Sequence, residues 1–439
     1  MTDETHPLLH VAIIGSGPAG YYAAEELAKH DHVRVDILDR LPTPYGLIRG
    51  GVAPDHQSIK GVFRRYEKTN LAENAHFVGN LEVGRDVSLA DLKDLYDAVI
   101  LAVGAPKDRI LGIPGDDKKG VVGSAEFVGW YNSHPSFEGL DIDLDIETVA
   151  VIGNGNVAVD VVRVLAKTPS EMAISDLAPY AAEKIHAAPI KDLYMLGRRG
   201  PLEAKFSPKE LGELGELENC VTLMSPDQLP NLSDEDLAAR ELVIRKNYVH
   251  LQSFTEIKPE AGKKTLHLKF YAMPVEVLGD DKVTGLKLEK TTVDEKGRGH
   301  GTGETFILEC QLVVPCIGYN TIPLEGAKFR EDWGCFDNDE GKIEDRLYVT
   351  GWARRGPTGT IGTNRGDGQG VANRVLEEVK SSGKPGRAGL DALVKDRKLE
   401  IVTFREWKKI EAAEEASAAD QAPRQKFHKI EDMVKTAKS

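Results

Sequence analysis

The sequence contains two glycine-rich turns of one pattern, GSGPAG at residues 15–20 and GNGNVA at residues 153–158. Each turn directly follows an apolar run rich in β-branched residues, LLHVAII before the first and TVAVI before the second. Such runs are typical of buried parallel strands, and helical sequence follows each turn. In such a unit the first glycine allows the tight bend, the second admits a pyrophosphate close to the backbone, and the third position packs the helix on the strand. We therefore predict an α/β protein with two Rossmann-like dinucleotide-binding domains.

The residues that follow each turn indicate which nucleotide it binds. After the first turn, the run VRVDILD ends at Asp39, 19 residues beyond Gly20, where an acidic side chain can bind ribose hydroxyls. This suits FAD or NAD. After the second turn, the run DLYMLG ends in Arg198 and Arg199, whose guanidiniums can bind a ribose 2′-phosphate, which predicts NADP. The alternatives are that Asp39 only caps a turn and that the two arginines form an ordinary solvated basic turn.

Composition excludes several classes of protein. The chain has 439 residues, 41% of them hydrophobic, which is enough for two domains with cores of ordinary size. The net charge of −14 argues against nucleic acid or an anionic membrane as the main partner. No apolar run approaches the roughly 18 residues of a membrane span. The N-terminal stretch MTDETHPLLH is acidic and lacks an apolar signal region, so we expect a cytoplasmic protein.

The cysteines do not form a redox motif in the sequence. The chain has four of them and no CxxC pair: Cys220, Cys310, Cys316 and Cys335. On an extended run, Cys310 and Cys316 are about 20 Å apart, which is too far for a disulfide. We therefore expect neither a thiol relay nor an iron–sulfur cluster held by this chain, and we predict no metal site.

Two similar runs bracket the second glycine turn and indicate how the domains are connected. DAVILAVGA at residues 97–105 and CQLVVPCIGY at residues 310–319 both resemble short buried strands that end in glycine. The stretch between them therefore reads as an inserted domain, which makes the first domain discontinuous. The residues near the end of the chain, EAAEEASAADQAPRQK at 411–426, are expected to be partly disordered. The predicted limits are 1–106 and 320–385 for the FAD-binding domain, 107–319 for the NADP-binding domain and 386–439 for a helical C-terminal extension.

Several strings in the right order resemble the adrenodoxin reductase family, including its bacterial FAD-containing ferredoxin-NADP reductases. They are LPTPYGLIRGGVAPDH, EFVGWYN, GNGNVAVDVVRVL, GRRGP and GWARRGPTGTIGT, and the resemblance extends from about His10 to Lys380. It implies a glutathione-reductase-like flavoenzyme of two domains. Such an enzyme passes a hydride from NADPH to FAD and then single electrons to a ferredoxin, which would be the protein partner here.

The resemblance also implies the residues that hold the cofactors. Those expected to contact FAD are Gly15, Gly17, Pro18, Ala19, Gly20, Asp39, Leu47, Val83, Trp352, Gly359, Thr360 and Ile361. Those expected to contact NADP are Arg109, Asn154, Gly155, Asn156, Val157, Arg198, Arg199, Glu210 and Gly359. Glycines and an aromatic in GWARRGPTGTIGT suit close contact with a flavin, and a following helix would stabilise negative charge on it. The alternatives are that Trp352 is a core tryptophan and that Arg109 is a surface arginine.

By the same resemblance, His56 and Glu213 are the predicted catalytic residues, close to where nicotinamide meets flavin. A carboxylate beside an imidazole raises the pKa of the imidazole and orders both groups. The alternatives are a capping or surface role for His56, and a solvated helix face for Glu213, which recurs at helical spacing with Glu210 and Glu216. The sequence departs from the family in Asp39, where glutamate is usual, and in Gly212, where arginine is usual.

The leading functional interpretation is a ferredoxin-NADP reductase. The alternatives are an NADPH-oxidising subunit or diaphorase with another acceptor, and a non-catalytic flavin and NADPH sensor. Because ferredoxins are usually acidic and this chain is acidic too, docking needs a local basic patch. Two groups of basic residues are candidates, one formed by Arg49, Lys60, Arg64 and Arg65, the other by Arg240, Arg245 and Lys246.

Overall fold

The computed structural model describes residues 7–439. The expectation about a signal segment falls partly on residues 1–6, which lie outside the described residues. The chain forms two compact units. The first contains the described residues up to Lys107 together with 132–138 and 319–439, and the second contains 108–131 and 139–318. The return of 132–138 to the first unit has no counterpart in the predicted domain limits.

The elements of the described chain alternate between strands and helices over much of its length. The strands are β1 Leu9–Ile14, β2 Val33–Leu38, β3 Ala75–Gly79, β4 Ala98–Leu101, β5 Lys107–Asp108, β6 Thr148–Ile152, β7 Asp192–Leu196, β8 Cys220–Met224, β9 Lys264–Lys269, β10 Ala272–Leu278, β11 Gly285–Val293, β12 Gly299–Glu309, β13 Leu312–Pro315, β14 Tyr319–Asn320, β15 Phe329–Arg330, β16 Cys335–Phe336, β17 Lys342–Glu344, β18 Leu347–Val349 and β19 Val402–Thr403. The helices are α1 Pro18–Leu27, α2 Leu47–Gly50, α3 Gln57–Lys60, α4 Phe63–Asn70, α5 Leu89–Leu95, α6 Ser124–Tyr131, α7 Asn156–Ala166, α8 Pro169–Met172, α9 Pro179–Ala187, α10 Pro208–Glu213, α11 Asp234–Ala238, α12 Leu242–Glu256, α13 Trp352–Arg355, α14 Thr363–Glu378, α15 Arg387–Asp396, α16 Phe404–Ala416 and α17 Ile430–Lys438. Among the helices of residues 7–439, none is both long enough and apolar enough to cross a membrane.

The first unit is built on a seven-stranded sheet of order β17-β18-β4-β1-β2-β3-β19. The inner strands, from β18 to β3, are parallel, and the two edge strands pair antiparallel to their neighbours. Strand β1 is buried along nearly its whole length, as its apolar run predicts. Because parallel strands end at one edge of the sheet, the segments after β1, β2 and β18 meet there.

The second unit contains a five-stranded parallel sheet of order β13-β6-β7-β9-β8 and a separate antiparallel sheet of β10, β11 and β12. The runs TVAVI and DLYMLG are its neighbouring strands β6 and β7. The ends of β6, β7 and β13 therefore lie at one edge. This arrangement confirms the α/β class with two Rossmann-like units and a discontinuous first domain.

Helices α1 and α14 of the first unit cross at very short range. A Cβ on Gly368 of α14 would lie 2.7 Å from the backbone oxygen of Ala19 and 2.8 Å from the backbone nitrogen of Ala23. A Cβ on Gly351, which precedes α13, would lie 2.6 Å from the Cβ of Ala19. Two glycines thus bring the GWARRGPTGTIGT segment onto the helix that begins at the first glycine turn.

The C-terminal extension, residues 386–439, is part of the first unit. Strand β19 pairs with β3 at the sheet edge, and α16 begins with a capping box formed by Thr403 and Glu406. The expectation of disorder for 411–426 is wrong: α16 continues to Ala416, and Lys426 is 4% exposed. Its charged residues are paired internally, which a reading of composition alone does not reveal.

His134 gives the first unit a predicted pH dependence. Burial lowers the pKa of its imidazole from 6.5 to about 4, helped by the charges of Arg40, Arg49 and Lys426. The unfolded chain therefore binds a proton near pH 6.5 and the folded chain only near pH 4, so the free energy of unfolding falls as the pH drops through this window, by about 3 kcal/mol at most. We expect His134→Asn to reduce the pH dependence of the free energy of unfolding between pH 6.5 and 4, measured by urea titrations at several pH values. An unchanged slope in the variant would contradict this assignment.

Candidate functional site

The three glycines of the first turn differ in whether the fold requires a glycine at that position. Gly15 has a φ of +109°, and a Cβ there would lie 2.4 Å from the backbone oxygen of Ala102. A Cβ on Gly20 would lie 2.1 Å from the backbone oxygen of Gly15. By contrast, Gly17 has an ordinary extended backbone (φ −77°, ψ −178°), and no atom lies within 4 Å of a Cβ built on it. The fold therefore requires Gly15 and Gly20, and only a ligand would require Gly17.

The second turn repeats this division. Gly153 has a φ of +141°, and its Cβ would lie 2.4 Å from the backbone oxygen of Cys316. Gly155 is extended (φ −119°, ψ 176°) and has open space around its Cβ position, while Ala158 is fully buried. Gly17 and Gly155 are also the N-caps of α1 and α7, and neither helix has a side-chain cap. Both helices thus begin beside open space and without a side-chain cap, an arrangement that suits a pyrophosphate bound by the free N–H groups, which start at Ala19 in α1 because Pro18 has none.

Asp39 fixes the first turn through its carboxylate. Its Oδ2 accepts hydrogen bonds from the backbone nitrogen and the hydroxyl of Ser16, at 2.9 and 2.5 Å, and its Oδ1 accepts one from the backbone nitrogen of Leu41 at 2.9 Å. Asp39 therefore does cap the turn, as the alternative interpretation of this residue proposed. An ionised carboxylate has about four acceptor positions, so one remains for a ribose hydroxyl. The ribose contact of Asp39 stays a prediction.

The other residues expected to contact FAD belong to the first unit and gather from distant parts of the chain. Tyr45 donates its backbone N–H to the oxygen of Ser16 at 3.1 Å, and a Cβ on Gly46 would lie 2.9 Å from the Cα of Gly17. The following residue, Leu47, is 47% exposed. Val83 packs at the margin of the core cluster that contains Ile14 and Leu38. The structure therefore brings the Leu47 segment next to the first turn.

The segment around Trp352 is also held in place. The indole nitrogen of Trp352 donates to the oxygen of Thr358 at 3.1 Å, and its ring stacks on that of Tyr319 with centroids 6.1 Å apart. Trp352 is only partly buried, so it is not a core tryptophan. Gly359 and Thr360 are exposed, and α14 begins shortly after them, at Thr363. An exposed face with glycine and aromatic groups suits a planar ring system.

Arg198 and Arg199 follow β7 at the sheet edge that also carries the second glycine turn. Their backbone is fixed by two hydrogen bonds. The hydroxyl of Thr291 donates to the backbone oxygen of Arg198 at 2.8 Å, and the backbone N–H of Tyr271 donates to the backbone oxygen of Arg199 at 3.1 Å. Within residues 7–439 neither guanidinium forms an ion pair, and Arg198 is exposed. Two cations on a fixed backbone and without acidic partners suit a phosphate group.

The second turn is joined to the start of α10. Lys205 donates its backbone N–H to the oxygen of Asn154 at 2.7 Å, and Ser207, the N-cap of α10, donates its own to Oδ1 of Asn156 at 2.8 Å. Glu210 is 7% exposed. Arg109 has an exposed side chain, and its backbone nitrogen donates to the oxygen of Gly318 at 3.1 Å. Except for Gly359, which belongs to the first unit, the residues expected to contact NADP thus lie in the second unit.

Glu213 is not on a solvated face, because a buried arginine holds it. Arg163, on α7, is 0% exposed and approaches the Glu213 carboxylate at 3.4 Å and that of Asp160 at 2.8 Å. Helix α10 ends at Glu213, and a Cβ on Gly212 would lie 3.0 Å from the His250 ring, which explains a glycine there. Sequence reasoning missed Arg163. The available signal was one arginine inside the apolar run VAVDVVRVL.

His56 lies in the first unit, at the N-cap of α3, and is 8% exposed. A surface position for His56 is therefore excluded, while its pairing with Glu213 stays a prediction. All four cysteines are free thiols. Burial raises the pKa of Cys220 and of Cys310 to about 12, which disfavours the reactive thiolate.

Two parallel-sheet units, each with an open glycine turn at the carboxyl edge, define a protein that binds two dinucleotides. The class with this architecture is that of the pyridine nucleotide-disulphide oxidoreductases, whose family model matches residues 9–195.

Individual proteins that are similar over nearly the whole chain indicate which family within this class it belongs to. NADPH-ferredoxin reductase FprA from Mycobacterium leprae is 37% identical, over 98% of this chain and 98% of that protein. The mitochondrial NADPH:adrenodoxin oxidoreductase from Arabidopsis thaliana is 37% identical, over 98% of this chain and 95% of that protein. The structure of Mycobacterium tuberculosis FprA in complex with NADPH superposes with a TM-score of 0.95 at 37% identity, covering 98% of this chain and 100% of that one. The chain therefore belongs to the family of NADPH-ferredoxin and NADPH:adrenodoxin reductases.

Proposed function

We propose that this protein is an FAD-dependent ferredoxin-NADP reductase that oxidises NADPH and reduces a ferredoxin in the cytoplasm. The observation that carries the proposal is the pair of open glycine turns in a chain that matches NADPH-ferredoxin reductases over nearly its full length. NADPH gives up two electrons and each ferredoxin accepts one, so one NADPH reduces two ferredoxins and releases one proton. Bound FAD would supply the step between two-electron and one-electron transfer.

The residues present fit both cofactors. Each turn has a cradle that a Cβ at Gly17 or Gly155 would fill, and each opens on a helix N-terminus without a side-chain cap. The strand after the first turn ends in the carboxylate of Asp39, which suits ribose hydroxyls and would repel a 2′-phosphate even with Arg40 beside it, whereas the strand after the second turn ends in two cations, Arg198 and Arg199. We therefore assign FAD to the first unit and NADPH to the second.

The side chains act mainly by placement. Gly17 and Gly155 admit the pyrophosphates to the two helix ends, and Arg198 with Arg199 selects NADPH over NADH. We assign His56 and Glu213 to orienting the nicotinamide and managing the released proton. Hydride transfer needs no side-chain base, so these residues modulate the rate through geometry and charge.

NADPH-driven cytochrome c reduction by the purified protein, with and without a low-potential ferredoxin, tests the function. We expect a large ferredoxin-dependent increase in the rate. If NADPH reduces the flavin and ferredoxin adds nothing, the protein is a diaphorase or a subunit of a larger oxidoreductase. If NADPH binds without reducing the flavin, it is a sensor.

Arg163→Met is expected to slow flavin reduction by NADPH about tenfold, while the Kd for NADPH changes less than threefold. The reason is that Glu213 and Asp160 lose a fully buried cation, so the Glu213 carboxylate is no longer held in one position. Stopped-flow reduction at several NADPH concentrations separates the two constants. Arg163→Lys should restore part of the rate.

A matched control is Lys209→Met. Lys209 also faces Glu213, at 3.8 Å, but its side chain is 64% exposed, so solvent screens the interaction. We expect a rate close to wild type. If Arg163→Met and Lys209→Met reduce the flavin at the same rate, the positioning role of Arg163 is wrong.

The structure separates the two basic groups considered for ferredoxin docking. In the first group, Arg65 binds Glu25 through two hydrogen bonds of 2.8 Å, Arg49 pairs with Glu414, and Lys60 is 6% exposed. These three charges are paired or buried within the unit, and Arg64 alone of the group is exposed. In the second group, around the start of α12, Arg240 and Lys246 are exposed. We therefore assign docking to the second group.

Reversing both charges, with Arg240→Glu and Lys246→Glu together, is expected to raise the KM for ferredoxin at least tenfold at low salt. The effect should shrink as salt is added, because screening weakens the attraction to an acidic partner. Cytochrome c reduction at several ionic strengths measures it. Lys191→Glu, a reversal at a 66% exposed site on the same unit, is the control. Equal KM values for the two variants would rule out this docking surface.

A further inference from the structure

The C-terminal extension, 386–439, contacts the segment of the first unit that lies on the first glycine turn. That segment is Tyr45–Gly51. Tyr45 and Gly46 touch the turn at Ser16 and Gly17, as described above. Arg49, in the same segment, reaches α16 of the extension, where its guanidinium forms two hydrogen bonds with the carboxylate of Glu414, one of them 2.8 Å long.

The contact is buried and made by several groups. The side chain of Glu414 is 0% exposed and that of Arg49 is 11% exposed. The Arg49 guanidinium carbon lies 5.2 Å from the ring centroid of Trp407, a fully buried residue of α16. Lys426 donates to the backbone oxygen of Arg49 at 3.2 Å. A buried bidentate ion pair with a cation–π contact fixes orientation as well as distance.

The segment held in this way is conformationally strained. Tyr45 has a φ of +85°, which a bulky residue rarely adopts. Such a conformation persists only when surrounding contacts hold it. The Tyr45 ring packs edge-on against Trp407, with centroids 6.2 Å apart. The extension therefore supplies contacts to both the strained residue and the arginine four residues later.

We propose that Arg49 and Glu414 are a positioning pair through which the C-terminal extension holds Tyr45–Gly51 against the first glycine turn and so slows the release of FAD. This inference rests on the proposed function, because it takes FAD as the ligand of that turn. Glu414 and Lys426 lie far from the turn in sequence, and their action on the cofactor passes through Arg49.

The test is the rate of FAD release from the purified holoprotein, followed by the fluorescence of the freed flavin. Glu414→Gln keeps the size of the side chain and removes its charge, and we expect it to release FAD at least tenfold faster than wild type. Glu415→Gln is the matched control, because Glu415 is the next residue of α16 and is 54% exposed, and because Arg424 lies near both carboxylates, at 4.0 Å from Glu414 and 3.4 Å from Glu415. We expect its release rate to stay within twofold of wild type.

A second control separates positioning from general loss of stability. Ile410→Val removes one methyl group from a fully buried residue of α16 without touching the ion pair. The inference is overturned if Glu414→Gln releases FAD at the wild-type rate, or no faster than Ile410→Val. If Glu414→Gln does not fold, Lys426→Met decides, with faster release supporting the inference and an unchanged rate overturning it. A wild-type protein that carries no FAD would instead refute the proposed function.

Discussion

Gly17→Val is expected to give a folded protein that has lost its yellow colour. The backbone of Gly17 is in an extended conformation that valine adopts readily, and no atom lies within 4 Å of its Cβ position. The apoprotein should therefore fold normally. The added side chain occupies the space in which the FAD pyrophosphate would lie, and we expect FAD affinity to fall by at least about 1,000-fold, or about 4 kcal/mol.

The measurements are the flavin absorbance of the purified variant and a titration of its apoprotein with FAD. Two variants serve as controls. Gly370→Val places the same side chain in equally open space on the exposed face of α14 and should retain FAD. Gly155→Val should retain FAD and lose NADPH binding. If Gly17→Val binds FAD as wild type does, the assignment of FAD to the first turn is wrong.

Replacing Arg198 and Arg199 together by alanine is expected to weaken NADPH binding at least 100-fold and to leave NADH binding unchanged. Each charged hydrogen bond to a phosphate contributes about 1.5–3 kcal/mol, and the exposure of Arg198 places its share at the lower end. Neither guanidinium is needed by the fold, since no acidic partner in residues 7–439 depends on it. The protein should therefore keep its stability and its flavin.

Kinetics with the two nucleotides measure this change, as the ratio of kcat/KM for NADPH to that for NADH. Lys191→Ala is the control. Lys191 lies just before the start of β7, at the end of the strand opposite to Arg198 and Arg199, and its side chain is 66% exposed. It should leave the ratio unchanged. An equal loss with NADPH and NADH in the double variant would exclude a 2′-phosphate site at Arg198 and Arg199.

Local sequence was sufficient to predict the two units. The pattern is largely local: the strand before each turn is a buried apolar run, and Gly20 packs on the backbone of Gly15, five residues earlier. The close approach of Ala102 to Gly15 and of Cys316 to Gly153 is a tertiary contact that reinforces it. The ends of β2 and β7, with Asp39 and Arg198, follow from the same local pattern. This is why the fold class could be predicted from sequence, while the place of each nucleotide stays a prediction.

The charged residues were less predictable, because their roles depend on partners distant in the chain. Arg49 and Arg65 looked like a docking patch, yet Glu414 and Glu25 neutralise them. A solvated helix face was the alternative interpretation of Glu213, yet Arg163 from another helix holds its carboxylate. The sequence does not show whether a charged side chain is solvated or paired with a residue far along the chain, such as Glu414, which lies 365 residues after Arg49.

The sequence by itself determined the strand–turn–helix units and their order, because these depend mainly on backbone sterics and burial within short stretches. Only the tertiary structure decided that the C-terminal extension lies on the Tyr45–Gly51 segment, that Gly368 lets α14 pack on α1, and that Gly351 lets the start of α13 approach Ala19. These contacts join residues hundreds of positions apart. Their energies come from close packing and buried charge pairs, which exist only once the chain has folded.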